Sequence, residues 1–149
     1  AIRVPGNGVI SSSIPVETDY STLDRYKVTQ QGDTVAIIAL GSFFALGENV
    51  ARRLQMVAGI TPTLINPRYI TGLDNDLLDK LKTTHRAVIT LEDGILDGGF
   101  GEKIARYYGN SDMRVLNYGL KKEFLDRYDV NEVLKENHLT AEQIVNDVL

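Results

Sequence analysis

Two acidic residues and a glycine-rich turn are the part of this sequence whose residue types and spacing could support chemistry. Glu92 and Asp93 end an apolar run, and Gly98, Gly99 and Gly101 stand before a segment with helical periodicity. Open α/β sheets bind their ligands at the carboxyl ends of parallel strands. One acid could therefore act as a general base, contact a partner domain, or cap the glycine turn. The sequence favours the cap, and the five residues are candidates for a strand-end or interface site.

The same glycines raise the hypothesis of a phosphate or dinucleotide site. A helix that begins behind glycines offers free N–H groups and the positive end of its dipole to an anion. The G-x-G-x-x-G fingerprint is incomplete, because Ile104 stands where the last glycine is required after Gly99 and Gly101. The acid that should follow about 20 residues later is replaced by the apolar stretch 115–119. A structural turn is therefore the favoured interpretation.

Other catalytic groups are sparse. His85 and His138 have no carboxylate or histidine at a helical metal-ligand spacing, so the sequence predicts no zinc site. His85 stands where a helix is predicted to end, which favours a surface histidine there. Ser42 lacks the G-x-S-x-G frame of a nucleophile elbow and is instead a candidate helix N-cap. No catalytic residue is assigned within the chain.

The surrounding elements alternate between strands and helices. Apolar or alternating runs predict strands, and apolar residues at helical spacing predict helices. The predicted strands lie at 25–30, 35–40, 63–65, 87–91 and 114–117, and the predicted helices at 42–59, 74–84, 100–108, 130–137 and 140–149. The first two strands are expected to form a hairpin, with the first strand antiparallel to the rest. This order predicts a three-layer α/β/α domain with a mixed five-stranded sheet.

Composition limits the classes of function. The 149 residues, 43% of them hydrophobic, suffice for one domain with a substantial core. A formal net charge of -4 gives no electrostatic support for nucleic acid or an anionic membrane surface. The absence of Cys and of an apolar run near 20 residues suits an intracellular, cytoplasmic protein. Residue 1 is Ala, and residues 5–24 have linker composition, so we expect 1–24 to be the end of a preceding domain and a linker, and 25–149 one domain.

Three motifs carry a family resemblance. They are LINPRYITGLDNDLL at 64–78, AVITLEDGILDGGFGEKI at 87–104, and VNEVLKENHLTAEQIVNDV at 130–148. In this order they resemble the C-terminal domain of the transketolase family. Within that family the third motif is most similar to the 1-deoxy-D-xylulose-5-phosphate synthases.

The resemblance implies a function for the parent protein. Such enzymes bind thiamine diphosphate and Mg²⁺ in upstream domains, and the cofactor performs the carbanion chemistry. The resemblance implies a homodimeric transferase that joins pyruvate and glyceraldehyde 3-phosphate, with this part inactive alone and packing against the upstream domains. Arg3 matches an arginine that contacts the substrate phosphate in the synthases, a role that suits a guanidinium. Gly6 stands where those enzymes carry a second arginine.

Two alternatives remain open at the level of sequence. The first two motifs also occur, with variations, in the β subunits of 2-oxoacid dehydrogenases, which would bring a lipoyl partner. The second alternative is a stand-alone α/β module that binds another protein or an anion.

Overall fold

A five-stranded mixed sheet organises the residues that the structure, a computed structural model, describes: 8, 18–22 and 25–149. Strands and helices alternate along most of this length. The strands are β1 (Lys27–Gln30), β2 (Thr34–Ala39), β3 (Thr63–Asn66), β4 (His85–Ile95) and β5 (Arg114–Leu120), and the helices are α1 (Phe44–Ala58), α2 (Asn75–Thr84), α3 (Phe100–Tyr108), α4 (Val130–Glu136) and α5 (Ala141–Val148). The predicted α/β class is confirmed.

The strand order is β1-β3-β2-β4-β5, with β1 antiparallel to β3 and the other pairs parallel. The predicted hairpin of β1 with β2 is wrong, because β3 lies between them. Both edges of β2 pair with parallel strands, and the chain leaving β1 crosses the start of β3. There the N–H of Asp33 donates to the carbonyl of Thr61 over 3.1 Å, and a Cβ at Gly32 would overlap that same carbonyl. The β1–β3 register also shifts between Val28 and Gln30.

Helices cover both faces of the sheet, as predicted for three layers. Val35, Ile37 and Ala39 of β2 face one core, which α1 and α5 complete. Ala36 and Ile38, the intervening residues, face a second core completed by α2 and α3. Burying one large aliphatic side chain in such a core contributes about 2 kcal/mol. The apolar character of β2 on both faces therefore follows from its central place in the sheet.

The helix boundaries lie within two residues of the predicted ones. Gly59, with φ of +68°, ends α1, and the hydroxyl of Thr140 caps α5. Ser42 is not the predicted N-cap, because it lies within a 3-10 turn that precedes α1 and makes no cap hydrogen bond there. Val57 is exposed, although its spacing from Val50 and Leu54 is that of one helix face.

The connections after β2 and β4 create a crevice at the carboxyl ends of these two strands. β2 is followed by α1 on one face, and the neighbouring β4 is followed by α3 on the other. A crevice outside the carboxyl ends of two such strands is where open α/β sheets bind ligands. Within the described ranges, no helix is both long enough and apolar enough to cross a membrane.

Candidate functional site at the carboxyl edge of the sheet

Ser42 and Asp93 meet in the crevice between β2 and β4. The N–H of Leu40 donates to the carbonyl of Leu91 over 2.9 Å and holds the two strand ends together. Just beyond, the hydroxyl of Ser42 donates to Oδ2 of Asp93 over 3.1 Å. Both side chains are exposed. The pair presents a hydroxyl and a carboxylate to anything that docks at this edge.

Glu92 turns in the opposite direction and is buried. Its Oε2 accepts a hydrogen bond from the N–H of Phe100, and its Oε1 accepts one from the N–H of Gly101, each over 2.9 Å. A carboxylate at this place also interacts favourably with the positive end of the helix dipole. Of the three roles considered for the acids, the geometry of Glu92 is that of a cap for α3.

The two acids lie in an irregular part of β4. The ladder with β5 pairs Leu91 with Tyr118 and then Ile95 with Leu120, so β4 carries extra residues between these pairs. Such bulges commonly re-aim side chains beside functional sites. Here neighbouring acids serve different purposes, one inside the fold and one at its surface.

Three glycines allow α3 to lie close to the sheet. Gly98 has φ of +73°, a conformation that favours glycine. A Cβ at Gly99 would lie 2.6 Å from both oxygens of Glu92, and one at Gly101 would lie 2.7 Å from Oγ1 of Thr90. The anion position at the start of α3 is filled by the carboxylate of Glu92. This arrangement supports the structural interpretation of the glycine turn.

His85 is buried, so its predicted surface position is wrong. It directly follows α2 and is the first residue of β4, with no loop between them. Its ring therefore lies at the amino-terminal end of the strand. Nε2 lies 2.8 Å from Oγ1 of Thr63, and Nδ1 lies 2.8 Å from Oγ1 of Thr84. Burial lowers the pKa of His85 below its ordinary value. The ring is therefore neutral near pH 7 and stabilises the fold far from the crevice.

His138 lies in the turn between α4 and α5, where its Nδ1 is 3.2 Å from Oδ2 of Asp147. The same oxygen accepts a hydrogen bond from the hydroxyl of Tyr118 over 3.2 Å. Within the part of the chain that the structure describes, no group of three or more His, Asp and Glu side chains could hold a metal ion.

A second polar cluster, which the sequence did not reveal, joins the start of the domain to α2. The buried carboxylate of Asp74 accepts hydrogen bonds from the N–H of Leu77, the N–H of Tyr26 and the guanidinium of Arg25, over 3.1, 2.9 and 3.0 Å. Asp76 also pairs with Arg25 at 2.6 Å. Hydrogen bonds to Asp76 and then to Asp74 raise the pKa of Arg25. Asp74 thus caps α2 and also fixes the position of the chain just before β1.

Arg68 closes this cluster from the β3–α2 loop. Its φ of +56° is unusual for a residue with a side chain, and its N–H donates to Oδ1 of Asn66 over 2.9 Å. The guanidinium donates to the carbonyl of Arg25 through Nε and Nη2, over 3.3 and 2.8 Å. We name Arg25, Arg68 and Asp74 the linker clamp. Its residues are up to 49 positions apart, so no local pattern announces it.

The predicted site residues therefore fall into separate places. The structure brings Asp93 to Ser42 at the crevice. Glu92 lies instead with the glycine turn of Gly98, Gly99 and Gly101 at the start of α3. The two histidines lie elsewhere. Arg3, the candidate phosphate contact, lies outside the described residues.

The sequence model of the family described as "Transketolase, C-terminal domain" matches residues 24–144. This chain belongs to the transketolase C-terminal domain family. The 1-deoxy-D-xylulose-5-phosphate synthase of Lysinibacillus sphaericus is 27% identical over 97% of this chain. That of Francisella tularensis subsp. novicida is 28% identical over 99% of it. The resemblance drawn from the three motifs is confirmed, although the chain spans only 23% of the length of these relatives.

Solved structures of the transketolase C-terminal domain family agree with the fold. A split-gene transketolase, described as an inactive beta4 tetramer, matches with a TM-score of 0.74 and 26% identity over 94% of this chain and 43% of its own. A transketolase mutant of Pichia stipitis with bound xylulose 5-phosphate matches with a TM-score of 0.57 and 16% identity, over 87% of this chain and 18% of its own. The second similarity is one of fold alone.

Proposed function

We propose that this transketolase C-terminal domain is the third domain of a thiamine-diphosphate-dependent transferase that makes 1-deoxy-D-xylulose 5-phosphate from pyruvate and glyceraldehyde 3-phosphate. The parent is a cytoplasmic homodimer. Residues 1–24 finish the preceding domain and link it to a domain formed by 25–149. In this proposal the domain supports packing and dimerisation and has no activity by itself.

The extent of the similarity carries the proposal. Two synthases from different bacteria align over 97% and 99% of this chain while the chain spans 23% of each of them. A domain that matches nearly throughout, and matches one portion of a larger enzyme, is best understood as that portion. The remaining portions would then hold the reaction centre.

The described residues do not fit the family's cofactor. The helix start that could bind a diphosphate is filled by Glu92, and no acidic or histidine cluster suitable for Mg²⁺ exists among them. The proposal therefore assigns thiamine diphosphate and Mg²⁺ to the upstream domains. This chain contributes surfaces to the assembly, and through Arg3 a contact to the substrate phosphate.

An assay of the native polypeptide tests the proposal. The polypeptide containing this chain is purified from the source cells and supplied with thiamine diphosphate, Mg²⁺, pyruvate and glyceraldehyde 3-phosphate. We expect 1-deoxy-D-xylulose 5-phosphate and carbon dioxide in equal amounts, and none from residues 1–149 alone. A native polypeptide of full synthase length that forms no such product would refute the assigned reaction.

The similarity to a split-gene transketolase favours a second candidate. If the parent is encoded in pieces and transfers a two-carbon ketol unit, the same assay would give no carbon dioxide. Xylulose 5-phosphate with ribose 5-phosphate would then be consumed instead. The choice of donor substrate thus separates the two transferases.

A further inference from the structure

We propose that the surface around the linker clamp is the face on which the upstream part of the polypeptide docks. The inference rests on the proposed function, because it assumes a parent with preceding domains, and it adds which surface meets them. We name the exposed apolar side chains of this face, Tyr20, Tyr69 and Ile70, the linker-side patch.

The clamp fixes where the chain enters the domain. Asp74 and Arg68 hold both the N–H of Tyr26 and the carbonyl of Arg25, and the hydroxyl of Tyr26 donates to the carbonyl of Gly72 over 3.2 Å. The backbone on either side of the Arg25–Tyr26 peptide is thus tied to the β3–α2 loop. A preceding domain would therefore be attached at a fixed point of this surface.

The patch lies directly beside that point. Arg68 Nη2 is 3.5 Å from the carbonyl of Thr22, and Tyr20 and Tyr69 each stand within two residues of this contact along the chain. Tyr20 is 55% exposed, Tyr69 41% and Ile70 43%. Two exposed tyrosines and an isoleucine in segments joined by one hydrogen bond have the residue types of an interface centre.

The backbone holds the patch in place at some cost. Arg68 has φ of +56°, a left-handed conformation that is strained for a residue with a side chain. The ammonium of Lys103 donates to the carbonyl of Ile70 over 3.0 Å and anchors the loop to α3. A strained and anchored surface loop that displays apolar side chains is typical of a binding surface.

The length of the relatives indicates the occupant. The synthases are about four times longer than this chain, since it spans 23% of them. A domain attached through the clamp stays close to the patch, at an effective concentration of about millimolar. Weak apolar contacts suffice for docking under those conditions, whereas a separate partner would need a larger surface.

Other exposed apolar side chains lie away from the linker and serve as controls. Tyr128, in the β5–α4 connection, is 54% exposed, almost the same fraction as Tyr20. Met56 and Val57 are exposed on α1, at 79% and 61%. Neither α1 nor the β5–α4 connection contributes a residue to the clamp.

Hydroxyl-radical footprinting of the native polypeptide tests the inference. We expect the labelling of Tyr20 and Tyr69 to be about threefold or more below that of Tyr128, because interface cores exclude water. The isolated chain should label all three alike. The double variant Y69S/I70S should restore labelling of Tyr20 in the native polypeptide, and the control M56S/V57S should not.

Equal labelling of Tyr69 and Tyr128 in the native polypeptide would overturn the inference, as would a native polypeptide no longer than this chain. Synthase activity measured on the same sample separates the two proposals. Activity without protection of the patch defeats the docking face and leaves the function standing. Protection without product defeats the assigned reaction and leaves the docking face standing.

Discussion

A Cβ added at Gly99 would lie 2.6 Å from both carboxylate oxygens of Glu92. The absence of a side chain at Gly99 therefore makes room for the Glu92 carboxylate that caps α3.

Substituting Gly99 by Ala should destabilise the domain by about 2 kcal/mol, because the carboxylate must leave two buried N–H groups. Chemical denaturation monitored by circular dichroism measures the free energy of unfolding. Gly94→Ala is the matched control, since no atom lies within 4 Å of a Cβ at Gly94. Equal effects of the two substitutions would contradict the proposed tight fit.

Substituting Glu92 by Gln should cost about 1–3 kcal/mol, because an amide offers one acceptor where the two N–H groups of Phe100 and Gly101 need two. The measurement is again the free energy of unfolding. Asp93→Asn, at the exposed neighbour, should change it by no more than about 0.5 kcal/mol. A neutral Glu92→Gln would mean that the cap contributes little.

His85 should make the domain less stable in mild acid. Its folded pKa is lowered by burial, so as pH falls through about 6.5 the unfolded chain binds a proton first. Stability is then full above that pH and decreases below it, with a slope of at most about 1.4 kcal/mol per pH unit. Unfolding at pH 7.5 and 5.0 measures the loss.

The variant His85→Gln should remove most of this pH dependence, while His138→Gln, at the exposed histidine, should retain it. The comparison holds the remaining titratable groups constant. An unchanged slope in His85→Gln would show that His85 is not the responsible group.

Asp74→Asn should destabilise the domain by about 1–3 kcal/mol, because the buried carboxylate accepts from two N–H groups and from Arg25. Asp76→Asn removes only an exposed ion pair, which contributes at most about 1 kcal/mol. Denaturation of both variants distinguishes them. The clamp is refuted if Asp76→Asn proves the more damaging substitution.

Arg3→Ala in the native polypeptide should raise the KM for glyceraldehyde 3-phosphate about tenfold or more and leave that for pyruvate unchanged, because a charged hydrogen bond to a phosphate is lost. Steady-state kinetics with each substrate varied in turn tests this. Arg52→Ala, on the surface of α1, serves as the control. An unaltered KM for the phosphorylated substrate would remove Arg3 from the site.

The sequence predicts those features of the fold that depend on neighbouring residues, such as strand burial and helix ends. The alternating burial of Ile37 and Ile38 follows from the position of β2 between two helical layers, and apolar runs announce such strands. Gly59 ends α1 and Thr140 begins α5 because their backbone and side-chain chemistry acts within one turn. For the same reason the sequence predicts that one of the acids Glu92 and Asp93 caps the glycine turn, but it does not show which one.

Contacts between distant segments were beyond the sequence. The pairing of β1 with β3 instead of β2, the meeting of Arg25 with Asp74, and the burial of His85 each depend on where whole elements pack. No periodicity encodes that position. The sequence predicts the antiparallel direction of β1 but not that β3 is the strand beside it.

β1 is an edge strand of the sheet. It has four residues, and its pairing with β3 shifts in register between Val28 and Gln30. A short, irregular edge strand is a poor template for the addition of another chain. β1 covers the backbone of β3 by pairing with Leu64 and Ile65. Any natural or engineered cut between residues 25 and 31 would uncover that strand, and we expect the shortened domain to aggregate through it.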